Sequence, residues 1–114
     1  MEDCIFCKIV SGAIPSPRVY EDAQILAIRD IKPQAPVHLL LMSKKHIPSV
    51  LELSETEATL VGKIAVVASQ LARKEGLGER GFRLLTNVGR EGGQSVPHLH
   101  FHLLGGRQLG WPPG

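Results

Sequence analysis

Histidines alternate with apolar residues near the end of the chain, where residues 98–104 have the sequence His-Leu-His-Phe-His-Leu-Leu. In a β-strand, successive side chains point to opposite faces of the sheet, so a pattern of period two separates the two kinds of residue. The segment therefore predicts a strand that turns its leucine and phenylalanine side chains toward a core. The opposite face collects three imidazoles, those of His98, His100 and His102.

Four other apolar segments also predict strands, and one segment predicts a long helix. The predicted strands cover residues 18–21, 24–29, 37–42, 82–88 and 98–104. The segment 54–57, Ser-Glu-Thr-Glu, is a capping box that begins a helix with apolar residues at helical spacing, and Gly76 provides its stop. A short helix is predicted around residues 4–11. This order indicates an α+β fold with an antiparallel sheet, formed by residues 1–114 as a single domain.

Composition excludes several classes of function. The 114 residues carry 13 basic and 11 acidic side chains. Because the chain has no block of Lys or Arg, nucleic acid is not expected as its main partner. The longest apolar run, residues 37–42, is too short to cross a membrane. The N-terminus is acidic where a signal peptide is basic, so we expect a cytoplasmic protein.

The three histidines of the 98–104 strand allow three interpretations. They could form a solvated polar face, or a catalytic zinc site, since His-x-His is a common spacing of metal ligands. Against zinc, the chain has no Asp or Glu after Glu91. They could also supply a nucleophile, because neutral imidazole is abundant near pH 7 and attacks electrophiles well.

A glycine-rich segment, residues 87–95, leads into the histidine strand. Glycines allow backbone N–H groups to approach an oxyanion closely, and Asn87 and Ser95 offer neutral hydrogen bonds to phosphate oxygens. The same glycines also suit a plain hairpin turn. In combination with the histidines, the segment favours a phosphate site.

Two cysteines, Cys4 and Cys7, are the only ones in the chain. A structural disulfide is not expected in a reducing cytosol. The Cys-x-x-Cys spacing leaves a redox pair, half of a metal site, or two reduced structural thiols as alternatives.

Together these residues resemble the histidine triad (HIT) family, whose motif alternates three histidines with apolar residues. The resemblance covers nearly the whole chain, through Asp30-Ile31, Lys44-Lys45-His46, Gly92-Gly93-Gln94-Ser95 and Trp111-Pro112-Pro113-Gly114. The C-terminal segment and Gly105-Gly106-Arg107-Gln108 resemble the Hint branch. This implies a HIT-like fold, a five-stranded antiparallel sheet with one long helix and a short N-terminal helix. It also implies a homodimer with a ten-stranded sheet, in which each C-terminal tail reaches the partner's site.

The resemblance also implies roles for individual residues. His100 resembles the nucleophile, His102 and Ser95 resemble groups around the phosphate, and His38 resembles a supporting catalytic histidine. The other substrate contacts implied are Asn87, Gly93 and Gln94 at the phosphate, Asp30 at the ribose, Trp111 in the tail, and the apolar walls Ile5, Phe6, Ile14, Ile28, Ile31 and Leu40. Arg29 departs from the family pattern, where histidine is frequent at the edge of the base pocket.

The implied activity is hydrolysis of purine nucleoside 5′-phosphoramidates through a nucleotidyl-histidine, with AMP or GMP as ligands and no cofactor for catalysis. Some bacterial relatives carry a structural zinc, for which the matching residues are Cys4, Cys7, His46 and His98. That ion would fasten the N-terminus and not touch substrate. Two other functions remain open from the residues, a zinc-dependent hydrolase and a nucleotide-binding regulatory protein with incidental turnover.

Overall fold

The computed structural model describes residues 3–114, so residues 1 and 2 of the acidic N-terminal segment lie outside it. The elements in chain order are α1 (Ile5–Ser11), β1 (Arg18–Glu21), β2 (Ile25–Arg29), β3 (Val37–Ser43), α2 (Ala58–Lys74), β4 (Arg83–Leu85) and β5 (His100–Gly105). The strands form one antiparallel sheet in the order β1-β2-β3-β5-β4. The predicted α+β fold with five antiparallel strands, a long helix and a short N-terminal helix is confirmed.

A different helix packs on each face of the sheet. One face packs on α2 through a core that includes Ile25, Leu41 and Leu103. The other face packs on α1 through a smaller cluster that includes Leu26 and Leu40. Because α1 has only seven residues, it covers only part of its face and leaves a cavity beside it. Among the described residues, no helix combines the length and the apolar character needed to cross a membrane.

The start and end of α2 follow the predicted signals. The Ser54 N–H donates to the Glu57 carboxylate at 2.9 Å, and the Thr56 N–H donates to the Ser54 hydroxyl at 3.3 Å. These bonds cap a short 3₁₀ turn that leads into α2. After the helix, Gly76 has φ +80°, a left-handed conformation that glycine adopts without strain.

Three predicted strands are shorter in the structure than in the sequence pattern, and for β2 the difference is residue 24 alone. The segment 82–88 forms strand only over Arg83–Leu85, because the glycine-rich loop begins directly afterwards. Beyond the last paired residue, the Thr86 hydroxyl donates to the His100 carbonyl oxygen at 2.7 Å. The segment 98–104 begins as strand at His100, because residues 96–98 bend before it. The predicted alternation of faces holds, since Leu99 and Leu103 lie in the α2 core.

Candidate active site and metal centre

A cavity of about 520 Å³ lies between α1 and the sheet. Ten of the predicted site residues line it: Ile5, Phe6, Ile14, Ile28, Asp30, Ile31, Leu40, Ser95, His100 and His102. The structure therefore brings together the residues assigned to the phosphate, the ribose and the base. Six lining residues had no predicted role, namely Ile9, Pro15, Ser16, Pro17, Lys32 and Val96. Three of these belong to a Pro-rich segment whose only sequence signal is that of a turn.

The His100 side chain is buried and held in one tautomer. Its Nδ1 lies 2.6 Å from the His98 carbonyl oxygen, which can only accept, so Nδ1 carries the proton. Burial lowers the pKa of His100 against smaller opposing effects of the His98 carbonyl and of Asp30. The neutral ring then presents an unprotonated Nε2. A buried imidazole in this state is suited to attack an electrophile.

His38 and His102 form a second hydrogen-bonded unit beside His100. The Gln34 N–H donates to His38 Nδ1 at 3.0 Å, so the neutral His38 ring carries its proton on Nε2. That Nε2–H donates to His102 Nδ1 at 2.9 Å, which leaves the His102 proton on its own Nε2. Burial, and then the neighbouring His100 and His38, lower the pKa of His102 to about 4. His102 therefore offers a neutral N–H donor at neutral pH.

The carboxylate that the sequence lacks near the histidine strand is supplied in space by Asp30. Its Oδ2 lies 3.5 Å from His38 Nε2, and Asp30, His38 and His102 bring potential ligand atoms within 4.8 Å of one another. However, His38 Nδ1 already accepts a backbone N–H, so a metal on Nε2 would require an imidazolate. This hydrogen bonding disfavours the interpretation of a catalytic zinc.

The glycine-rich loop is held by its own glutamine. The Gln94 side chain accepts from the Gly89 N–H at 3.0 Å and donates to the carbonyls of Pro48 and Val96 at 2.8 and 3.0 Å. A Cβ on Gly92 would lie 2.2 Å from the Val88 oxygen, so the loop admits only glycine there. Gln94 thus supports the loop from within. Four predicted contacts do not line the cavity: Asn87, Gly93, Gln94 and Trp111.

Arg29 lines the cavity, and its guanidinium forms an ion pair with Glu75. Its two terminal nitrogens pair with the Glu75 carboxylate at 2.9 and 3.0 Å. Glu75 directly follows α2, which packs on the opposite face of the sheet from α1. The departure from the family pattern at this position therefore places an ion-paired arginine in the lining of the cavity.

The buried histidines give a testable pH dependence of stability. Burial lowers the pKa of His38, against an opposing effect of Asp30, and lowers that of His102 to about 4. Below about pH 6.5 these histidines bind protons in the unfolded chain but stay neutral in the folded chain, because their pKa is lower there. The free energy of unfolding therefore falls as the pH falls. We expect a smaller free energy of urea unfolding at about pH 5 than at about pH 7. In His102→Asn, whose amide does not titrate, the free energy of unfolding should depend less on pH. Equal free energies of unfolding at both pH values in the wild-type protein would contradict this prediction.

A second cluster lies where α1 meets the start of β5. His46 Nδ1 and His98 Nδ1 are 3.2 Å apart, Cys4 Sγ is 3.4 Å from His98 Nδ1, and Cys7 Sγ is 3.3 Å from His46 Nδ1. The His98 Nε2–H donates to the Ser43 carbonyl at 2.6 Å, which leaves Nδ1 unprotonated and aimed at the cysteines. The predicted ligand set therefore converges.

These four residues fit a tetrahedral zinc ion. With Zn–S near 2.3 Å and Zn–N near 2.0 Å, a tetrahedron separates sulfur from nitrogen by roughly 3.5 Å and two nitrogens by roughly 3.3 Å. The observed separations lie close to these values. The Ser43 carbonyl is the kind of outer partner that fixes the orientation of a ligating histidine. When bound, zinc would connect α1 to the sheet.

Phe6 joins the two clusters. It lies between Cys4 and Cys7 in the sequence, and its ring meets the His100 ring edge-on, with centroids 4.8 Å apart at 90°. It also contacts the His98 ring at 5.9 Å. The helix that carries the two cysteines thus also forms part of the wall around His100.

The fold and site define a class of α+β protein in which an interior strand of the sheet presents histidines to a cavity of about 520 Å³. The family model of the HIT domain matches residues 11–109. The chain belongs to the HIT domain family. Of α1, only Ser11 lies within the matched segment.

Individual relatives are similar over their whole length. A HIT family hydrolase from Legionella pneumophila Philadelphia 1 has 53% sequence identity and a TM-score of 0.97, covering 98% of this chain and 100% of that one. A HIT-like protein of Synechococcus elongatus is 50% identical, covering 99% of this chain and 98% of its own length. A 14 kDa zinc-binding protein of Brassica juncea is 48% identical, covering 98% and 100%.

Proposed function

We propose that this protein hydrolyses purine nucleoside 5′-phosphoramidates through a covalent nucleotidyl-histidine on His100. The observation that carries the proposal is the unprotonated Nε2 of a buried, oriented imidazole in a cavity with an apolar floor. A hydrolase of Legionella pneumophila with half of its residues identical supports a hydrolytic reaction.

In the first step, His100 Nε2 forms a bond to phosphorus and the P–N bond of the substrate breaks, while Ser95 or a neighbouring histidine relays a proton to the leaving amine. In the second step, water attacks phosphorus and returns a proton to that group, the bond between phosphorus and His100 Nε2 breaks, and the nucleoside monophosphate leaves. Division of one displacement into two easier steps is the advantage of covalent catalysis. His102 Nε2–H and Ser95 would donate hydrogen bonds to the phosphoryl oxygens, whose charge needs stabilisation as the group transfers.

A panel of substrates tests this proposal. We expect adenosine and guanosine phosphoramidates to be hydrolysed, and dinucleoside polyphosphates to be poorer substrates. Binding of AMP with negligible turnover of every phosphoramidate would favour the alternative, a nucleotide-binding regulatory protein. Loss of turnover at saturating substrate after removal of metal by a chelator, with the fold intact, would favour a zinc-dependent hydrolase.

We also propose that two chains form a homodimer. β4 is an edge strand of three residues next to Phe82, which is 39% exposed, and Trp111 in the tail is 84% exposed. Trp111 does not line the cavity of its own chain, which supports the expectation that it reaches the cavity of a partner. Burial of such edges and apolar side chains is a common reason for small domains to associate.

Light scattering at micromolar concentration should therefore give twice the chain mass of 12.4 kDa. Deletion of residues 109–114 is the matched control, since it should keep the dimer and change the preference among amine leaving groups. A monomer mass for the full chain would contradict the proposal of a dimer.

A further inference from the structure

The hydroxyl of Ser16 is buried without a hydrogen-bond partner. In the part of the chain that the structure describes, no other side-chain oxygen or nitrogen is both buried and unpaired. Buried hydroxyls are normally satisfied, because an unpaired one loses its bonds to water without replacement. Ser16 also lines the cavity. A ligand group bound in the cavity would supply the missing hydrogen-bond partner.

The sequence around Ser16 explains why the chain itself supplies no partner. Proline stands on both sides, at Pro15 and Pro17, so both neighbouring residues lack an N–H. A residue before proline also prefers extended backbone, which keeps Ser16 out of a helical turn where its hydroxyl would bond to an earlier carbonyl. The segment is fixed at both ends, since the Ile14 N–H before it donates to the Lys8 carbonyl at 3.1 Å and the Arg29 N–H donates to the Pro17 carbonyl at 3.0 Å.

Ser16 lies across the sheet from the catalytic histidines. The strand register gives one row in which His102 pairs with Leu40, Leu40 with Ile28, and Ile28 with Arg18, two residues after Ser16. Three strand spacings of about 4.8 Å make this row about 14 Å long. The cavity thus has imidazoles at one end, an apolar floor of Leu40 and Ile28, and the segment that carries Ser16 at the other end.

The order of these groups matches the order of groups in a nucleotide. The phosphate would lie at His100, the flat faces of the base would lie on the apolar floor, and the polar edge of the base would reach Ser16. We propose that the Ser16 hydroxyl hydrogen-bonds the exocyclic amino or carbonyl group of the purine, so that the cavity prefers purines that carry such a group. This inference rests on the proposed function, because it takes the phosphate end from His100.

The test compares ligands that differ only in the exocyclic group. AMP, GMP and purine riboside 5′-monophosphate, which lacks such a group, are titrated calorimetrically into wild-type protein and into Ser16→Ala. We expect Ser16→Ala to bind the preferred purine nucleotide about fivefold more weakly, as for the loss of one neutral hydrogen bond. Its affinity for purine riboside 5′-monophosphate should not change. Ser54→Ala, which removes a hydroxyl far from the cavity in the α2 cap, should bind all three ligands as wild type does.

The outcomes separate the two proposals. Suppose that the wild-type protein binds AMP or GMP. If Ser16→Ala binds them with the same affinity, or loses affinity equally for all three ligands, the role of Ser16 is overturned and the proposed function stands. If wild type binds none of the three nucleotides, the proposed function fails, and the role of Ser16 fails with it.

Discussion

Replacement of His100 with alanine should remove nearly all hydrolysis of nucleoside phosphoramidates while the dissociation constant of AMP stays within about tenfold of the wild-type value. The Nε2 atom of His100 is the only atom lost that forms a bond to phosphorus in the proposed reaction. Asp30, Ser95 and the apolar floor remain in the cavity to hold the nucleotide. Kinetics and calorimetry on the same protein preparation would measure the two effects.

The covalent intermediate can be observed directly. Wild-type protein quenched during turnover at high pH, where phosphohistidine survives, should carry one nucleotidyl group on His100 by mass spectrometry. His102→Ala is the matched control, because it removes a neighbouring imidazole from the same strand and should slow turnover without preventing the adduct. An adduct on His98 or His102 in place of His100 would overturn the assignment. Undiminished turnover by His100→Ala would exclude a histidine nucleophile at this position.

Local patterns predicted the elements of the fold because each pattern rests on interactions between near neighbours. The capping box at Ser54 and the stop at Gly76 act within one helical turn, and both are present. The alternation in residues 98–104 depends only on the geometry of a strand. The ends of β4 and β5 were predicted less well, because the bend before His100 serves contacts that are distant in sequence.

Details of the candidate site depended on contacts that no local pattern encodes. The sequence suggested that no carboxylate lies near the histidine strand, but Asp30, far away along the chain, meets His38 beside it. Gln94 resembled a substrate contact, and the structure uses its amide to support the loop. Ser16 carried no signal, because its unpaired state results from the packing of segments around it.

Loss of zinc from the cluster of Cys4, Cys7, His46 and His98 should strongly lower the thermal stability of the protein. We expect purified protein to contain one zinc per chain and Cys4→Ser to contain far less. Since a metal that binds only the folded state stabilises it, loss of about 2 kcal/mol should lower the melting temperature by roughly 10 °C. Calorimetry and metal analysis of both proteins would measure these changes.

The effect of zinc loss should extend into the cavity, which the sequence did not predict. Phe6 lies between the two cysteines and contacts the His100 ring, so an α1 released from the sheet would withdraw part of the cavity wall. Cys4→Ser should therefore bind AMP more weakly than wild type. A chelator should reproduce both changes in wild-type protein and have no further effect on Cys4→Ser. A zinc content well below one per chain, or a melting temperature that the chelator leaves unchanged, would show that α1 is held by packing alone.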